Sequence, residues 1–378
     1  MPRELTGYAM TDEQTEGRRF PELPHPYRSH YQRDRDRVIH TKAFRRLEQK
    51  TQVFDPGYCD HFRNRLTHTL EVSQIARTVA GALGLNTELC EVLALSHDIG
   101  HPPFSHEGEK VLDRMMRAHG SGFEHNLHAL RIVEYFEEKY VSFPGLNLTF
   151  EVREGIIKHS RDYPSGYQTY VDVSEYRLGE KPPLEAQLID LVDEIAYNSA
   201  DLDDGYESGL LSLEAILGHV RLFEDVYRRL NDSHPKAPEK LKVSETVRAL
   251  INTLATSLIR FTDRRVKDLG IETVADIRRC PERLPAFEPE VADWNRELKS
   301  FLHSHLYDHS ALKRGRKDAQ HIVETLFSHY LEHPEALPSS HYRRIDEQEL
   351  YRVICDYIAG MTDTFARSRY TALLQNRA

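Results

Sequence analysis

The sequence predicts an all-α fold, a helical bundle with additional helices toward its C-terminal end. Apolar residues recur at helical spacing along most of the chain, while strand-like alternation is scarce. From Leu66 to Leu85, the residues Val72, Ile75, Val79 and Leu83 form a stripe at steps of three and four. His68 stands four residues before Val72 on the same face. Asn86 or Thr87 then caps a second helix through Leu89, Val92, Leu93 and His97. Gly100, Pro102 and Pro103 stop it, leaving His97 and Asp98 at its inward-facing end. A third helix covers Leu184 to Leu202, where Ile189, Asp193, Tyr197 and Asp201 repeat every four residues. Three polar groups on a face that should be buried demand partners. Another helix is expected from Ser244 to Val266, carried by Val247, Leu250, Ile251, Leu254, Leu258 and Phe261. Proline and polar clusters mark loops from Asn231 to Pro238 and from Cys280 to Pro289.

Bulk properties narrow the setting. A chain of 378 residues can bury an ample core, and 39% hydrophobic with 29% charged residues is ordinary globular composition. The net charge of −10 excludes a chain-wide basic surface, so any anion site must be a local basic cluster. Cys59, Cys90, Cys280 and Cys355 are dispersed with no CxxC pair, which argues for reduced thiols in a cytoplasmic protein. The start lacks an apolar signal core and no apolar run approaches membrane-spanning length, so neither secretion nor a membrane partner is expected.

The chemistry concentrates in His68, the adjacent pair His97-Asp98, and Asp193. Two imidazoles and two carboxylates suit a divalent metal that keeps open positions for water and a phosphate oxygen. One histidine on an apolar face is usually a hydrogen-bonded core residue. Four such groups on inward faces of separate helical segments favour metal binding. His106 and Glu109, three apart at a helix start, share a face. Their spacing fits an imidazole oriented by a carboxylate, and equally a capping interaction through Ser105 or His106. Proximity to His97-Asp98 favours the catalytic reading. An arginine-rich arm (Arg33, Arg35, Arg37, Lys42, Arg45, Arg46, Lys50) precedes His68, but Asp34 and Asp36 alternate with it, so much of it reads as a self-paired face. Arg65, one turn before His68, is the best candidate for phosphate contact. The run Lys313-Arg314-Gly315-Arg316-Lys317 reads as a solvated loop, with a nucleotide or nucleic-acid contact as the sharper alternative.

Taken together these segments resemble the deoxyguanosinetriphosphate triphosphohydrolase family of the HD-domain phosphohydrolases. The resemblance runs over most of the chain. It rests on Asp34 to His40, Ala43 to Leu47, Lys50 to Phe54, Arg65 to His68, His97 to Glu109, and Phe123 to Asn126. It continues through Glu154 to His159, Asp193 to Tyr197, Asp201 to Asp204 and Asp356 to Asp363. The resemblance implies a basic arm over 1–60, an HD catalytic domain over 61–225, and a helical region over 226–378 packed on it. It implies that His68, His97, Asp98 and Asp193 bind the metal and that His106 with Glu109 is the catalytic pair. Arg65, His125, Asn126 and Lys158 fall where the family contacts the triphosphate. Gln52 and Asp201 fall where it holds the 3′-hydroxyl, and Tyr197 where a ring fills the space a 2′-hydroxyl would need. Ala200 stands where many relatives have histidine, and Thr364-Phe365-Ala366 where many have Arg-Tyr-Ala. Those departures bear on base preference or regulation.

The activity so implied is hydrolysis of a deoxynucleoside 5′-triphosphate to deoxynucleoside and inorganic tripolyphosphate, supported by manganese, magnesium, iron, nickel or zinc. Homo-oligomeric assembly and a response to dNTPs or single-stranded DNA are also implied. The alternatives are another HD phosphohydrolase, a 5′-nucleotidase or cyclic-nucleotide phosphodiesterase, which its products would reveal. A dNTP- or single-strand-binding regulator would instead bind tightly without turnover.

Overall fold

A computed structural model describes residues 4–54 and 61–375 of the chain. Cys59, one of the four cysteines, lies outside the described residues; Cys90, Cys280 and Cys355 are free thiols. The expected fold class is observed. The α-helices are α1 (His30–Ile39), α2 (Lys42–Arg46), α3 (Arg65–Leu83), α4 (Thr87–Ser96), α5 (Ser105–Arg117), α6 (His125–Arg131), α7 (Phe150–Ile157), α8 (Leu184–Glu207) and α9 (Leu213–His219). They continue with α10 (Arg221–Ser233), α11 (Glu239–Asp268), α12 (Val274–Arg279), α13 (Pro289–Leu302), α14 (Ser310–Glu332), α15 (Ser339–Tyr342), α16 (Leu350–Ala359) and α17 (Asp363–Gln375). Among the described residues the extended pairing is limited to two isolated bridges, Arg18 with Thr149 and Thr51 with Asn64. No helix among them is long and apolar enough to cross a membrane.

The described residues gather into two compact units, each built from three separated stretches. Of the described residues, the first takes 4–14, 70–94 and 180–313, and the second takes 15–54, 61–69, 95–179 and 314–375. In the first unit α8 packs along α11, and α10 packs on α11. Leu188, Ile195 and Leu202 of α8 and Leu250, Leu254 and Leu258 of α11 are fully buried there. The Asn86 side chain caps α4 as expected, accepting from the backbone N–H groups of Glu88 and Leu89, both at 3.1 Å. Glu185 near the start of α8 accepts from the Met10 and Asn86 backbone amides, which fastens the beginning of the chain inside this unit.

In the second unit Val111, Leu112 and Met116 of α5 meet Ile322, Val323, Leu326 and Phe327 of α14 and Ile354 and Ile358 of α16. The basic run at 313–317 belongs to α14 and is helical, not a loop. Its apolar anchors start at Ala319, and propagation of an established helix past one glycine costs only about 1 kcal/mol. The arginine-rich arm forms α1 and α2, and the charges of α1 are paired internally, while Lys42, Arg45 and Arg46 of α2 are exposed. Arg37 is buried, bonding Glu22 at 2.7 Å and the Leu146 carbonyl at 2.7 Å. Arg28 and Arg35 pair with Asp36, and Arg18 pairs with the fully buried Asp34.

Candidate metal centre

α3 begins at Arg65, which puts His68 in its first turn, and α4 ends at Ser96, so His97 and Asp98 fall in the turn that follows. Gly100 closes that turn. A Cβ there would lie 2.0 Å from the His125 carbonyl oxygen and 2.5 Å from the Ala129 amide, so only glycine lets α6 approach this closely. Gly108 does the same for α5, where a Cβ would lie 2.0 Å from the Pro103 carbonyl oxygen. The two glycines bring His125 and His106 beside the His-Asp turn.

His68, His97 and Asp98 are all buried, and their donor atoms lie within 4.8 Å of one another. The rings of His68 and His97 are 5.7 Å apart, and His97 Nε2 is 3.5 Å from Asp98 Oδ1. Arg65 grips the same carboxylate, with Nη1 2.5 Å from Asp98 Oδ2, while its Nη2 donates to Ser105 Oγ at 2.6 Å. Burial works against ionising Asp98, but the Arg65 guanidinium, then His97 and His101, hold its pKa well below the usual carboxylate range. An ionised carboxylate flanked by two imidazoles in a buried pocket fits a divalent first-row metal.

Arg65 therefore acts on Asp98 and Ser105, and the phosphate contact expected of it would be made by its remaining N–H groups or in place of those bonds. Ser105 does not cap α5 either. Its hydroxyl is taken by Arg65, and the N-cap position is Phe104, in left-handed conformation and with no side-chain cap.

Glu109 is more tightly engaged than the sequence implied. Its Oε1 accepts from both the backbone N–H and Nδ1 of His125, at 2.9 and 2.8 Å, while its Oε2 is 3.5 Å from His106 Nδ1. Burial opposes its charge, but His106 and His125 pull its pKa far below the usual range. The His125 ring stacks on His101 at 4.0 Å between centroids. His101, absent from the expected site, donates toward Asp98 with Nε2 3.1 Å from Oδ1. Burial, together with Arg65 and His125, pushes its pKa well down, so it is neutral. His159 was also missed; its ring lies 5.2 Å from that of His97. Both sit inside the motif segments, at positions where no apolar stripe or fixed spacing singled them out.

The remaining expected residues are placed as follows. Asn126 is buried and donates to the His159 carbonyl at 2.8 Å. Lys158 is buried with its ammonium on Glu154 at 2.7 Å and on the Arg177 carbonyl at 3.1 Å, so its phosphate role would require rearrangement. The Gln52 Oε1 is buried and has no hydrogen-bond partner among the described residues. In the first unit, α8 carries Asp193 and Tyr197 half-buried and Asp201 buried, where Tyr307 donates to the Asp201 carboxylate. Tyr197 lines a cavity of about 530 Å³ with Asn198, Asn295, Lys299, His303 and Tyr307. Burial and the carboxylates of Glu194, Asp193 and Asp201 push its phenol pKa well up, so it is neutral.

Residues 65–198 match the HD domain and residues 286–372 match the phosphohydrolase-associated domain. A helical HD-domain phosphohydrolase is the class that fold and site define. Proteins described as deoxyguanosinetriphosphate triphosphohydrolase-like are similar over nearly the whole chain. That of Thiobacillus denitrificans is 47% identical, covering 95% of this chain and 94% of its own. That of Geobacter sulfurreducens is 44% identical, covering 98% and 95%, and that of Leptospira interrogans is 42% identical, covering 98% and 96%. A solved structure of a hypothetical protein from Aquifex aeolicus aligns at 18% identity with a TM-score of 0.31, covering 81% of this chain and 79% of that one, too loose a likeness to bear on the fold. The chain belongs to the deoxyguanosinetriphosphate triphosphohydrolase family of the HD-domain phosphohydrolases.

Proposed function

We propose that the chain hydrolyses deoxynucleoside 5′-triphosphates to the deoxynucleoside and inorganic tripolyphosphate, with bond breaking at the α-phosphorus. The observation that carries this reading is the buried His68–His97–Asp98 donor set with the His106–Glu109 pair one short turn further along the chain. The relatives' printed description, deoxyguanosinetriphosphate triphosphohydrolase-like, supports the substrate class.

His68, His97 and Asp98 would hold the metal, and Asp193 joins them on the family resemblance. A divalent metal so bound supplies Lewis acidity toward an α-phosphoryl oxygen and toward water. Arg65 keeps Asp98 ionised and aimed. His106, open to solvent and backed by Glu109, exchanges the proton that the attacking water loses or the leaving 5′-oxygen gains. His125, held by Glu109, and Asn126 face the phosphates in this reading. Gln52 and Asp201 hold the 3′-hydroxyl, and Tyr197 fills the space of a 2′-hydroxyl.

Incubation with each dNTP and rNTP across a metal panel, followed by chromatographic identification of products, tests the reading. At least one dNTP should give deoxynucleoside and tripolyphosphate, with the matching rNTP much slower by kcat/KM. Orthophosphate released from monophosphates, with triphosphates untouched, would instead identify a nucleotidase.

A further inference from the structure

The last helix of the chain begins beside the candidate site. α17 is capped by Thr362, whose Oγ1 accepts from the Phe365 backbone N–H at 3.2 Å. The carboxylate of Asp363 is thus not used on its own helix. Asp363 is 2% exposed, and its oxygens turn to two distant segments. Oδ1 accepts the backbone N–H of Phe104 at 2.8 Å. Oδ2 accepts the backbone N–H of Thr51 at 2.9 Å, and the Thr51 hydroxyl also donates to it.

The backbone gripped by Oδ1 is strained. Phe104 and Ser105 have φ of 62° and 57°, two consecutive non-glycine residues in the left-handed region. Such a conformation persists only where its surroundings over-determine it. Here Asp363 holds the Phe104 amide and Arg65 holds the Ser105 hydroxyl. The Arg367 guanidinium lies 5.1 Å from the Phe104 ring centroid, and the Lys50 ammonium binds the His101 carbonyl oxygen. His106 is the next residue. On the other side, Thr51 immediately precedes Gln52, whose side-chain oxygen is buried without a partner among the described residues.

We propose that Asp363 is a positioning residue for hydrolysis, a buried carboxylate that sets the strained turn carrying His106 and the segment carrying Gln52 in one register. The inference rests on the proposed function, because it assigns His106 a part in turnover. The C-terminal helix is then part of the catalytic framework through one side chain. Asp363 touches neither substrate nor metal; it acts through His106 and Gln52. A mainly structural acid at a helix start would stabilise the fold equally whether or not His106 were present.

That difference defines the experiment. Asp363→Ala and Asp363→Asn are each made in the wild-type and His106→Ala backgrounds, and dNTP turnover, metal content and thermal melting are measured. In the wild-type background Asp363→Ala should lower kcat at least tenfold with metal content unchanged. In the His106→Ala background the same change should lower kcat less than twofold, since the proton-transfer group it positions is gone, and the part of its effect that passes through Gln52 should remain as a rise in KM. Asp363→Asn retains one oxygen for the Phe104 N–H and should recover part of the loss. Equal fold-losses in both backgrounds, or a loss confined to melting, would overturn the proposal. Amide hydrogen exchange across residues 101–108 gives a readout independent of turnover, and Asp363→Ala, which removes the acceptor, should accelerate exchange at Phe104. Unchanged exchange there overturns the clamp. A wild-type chain that cleaves no dNTP at the α-phosphorus removes the functional reading on which the proposal rests.

Discussion

The buried cluster at His68, His97 and Asp98 and the rim pair at His106 and Glu109 are built from the same residue types but held in opposite ways. In the cluster every donor is buried, and a buried guanidinium pins the carboxylate at 2.5 Å. At the rim, His106 leaves 69% of its side chain exposed, and its contact with Glu109 is a loose 3.5 Å. Groups that hold a cation must be pre-set, because reorganising buried charges is costly. A group that moves a proton must reach solvent and substrate, and catalytic hydrogen bonds are often long before substrate arrives. Burial therefore separates holding from proton transfer within one stretch of chain.

The comparison is broken most directly at Asp98. Asp98→Asn should abolish both metal retention and turnover while leaving a folded chain. Asp98→Ala should in addition destabilise the fold by about 3–5 kcal/mol, because it leaves buried Arg65 with neither an anion nor the hydrogen-bond acceptor that asparagine keeps. Elemental analysis beside thermal melting checks both statements. Full metal occupancy in either variant would remove Asp98 from the ligand set.

His106→Ala should do the opposite. Metal content stays at the wild-type level and kcat falls about 10²–10⁴-fold, or roughly 3–5 kcal/mol of barrier. Glu109→Gln should be milder, on the order of 10–100-fold, because the amide still accepts from one histidine but loses the charge shared by His106 and His125. The two losses should not multiply in the double variant; a product of the single losses would mean independent roles.

A further effect, on stability and not on turnover, concerns Lys50, whose ammonium is buried beneath the turn that joins the two regions. Burial, with Arg46 adding to it, pushes its pKa down to about 7 from the usual 10.5. The folded state therefore releases this proton before the unfolded chain does. Stability attributable to Lys50 is lowest below pH 7 and rises as pH climbs from 7 toward 10.5. Relative to Lys50→Met, the wild type should gain on the order of 3 kcal/mol between pH 6.5 and 9.5, read from denaturant unfolding. Parallel stability curves for the two chains would show that Lys50 does not titrate in this range.

How legible all this was in the sequence differs between the same two regions. The helices that carry His68 and Asp193 were readable because their apolar stripes set which face is buried, and Asn86 announced the start of α4. Helical character at 313–317 was not readable, because the anchors of α14 lie downstream of the charged run. His101 and His159 escaped notice because each reaches the cluster through turns and helix ends, where spacing carries no facial information. The Glu109–His125 pairing likewise depends on the close approach at Gly100 that only three-dimensional packing reveals.

The account's central claim is bond cleavage at the α-phosphorus by this donor set. Hydrolysis of a dNTP in water enriched in oxygen-18, followed by mass spectrometry of both products, tests it most directly. Attack of water at the α-phosphorus places the label in the tripolyphosphate and leaves the deoxynucleoside unlabelled. Label in the deoxynucleoside, or labelled orthophosphate or pyrophosphate as the first product, would contradict it.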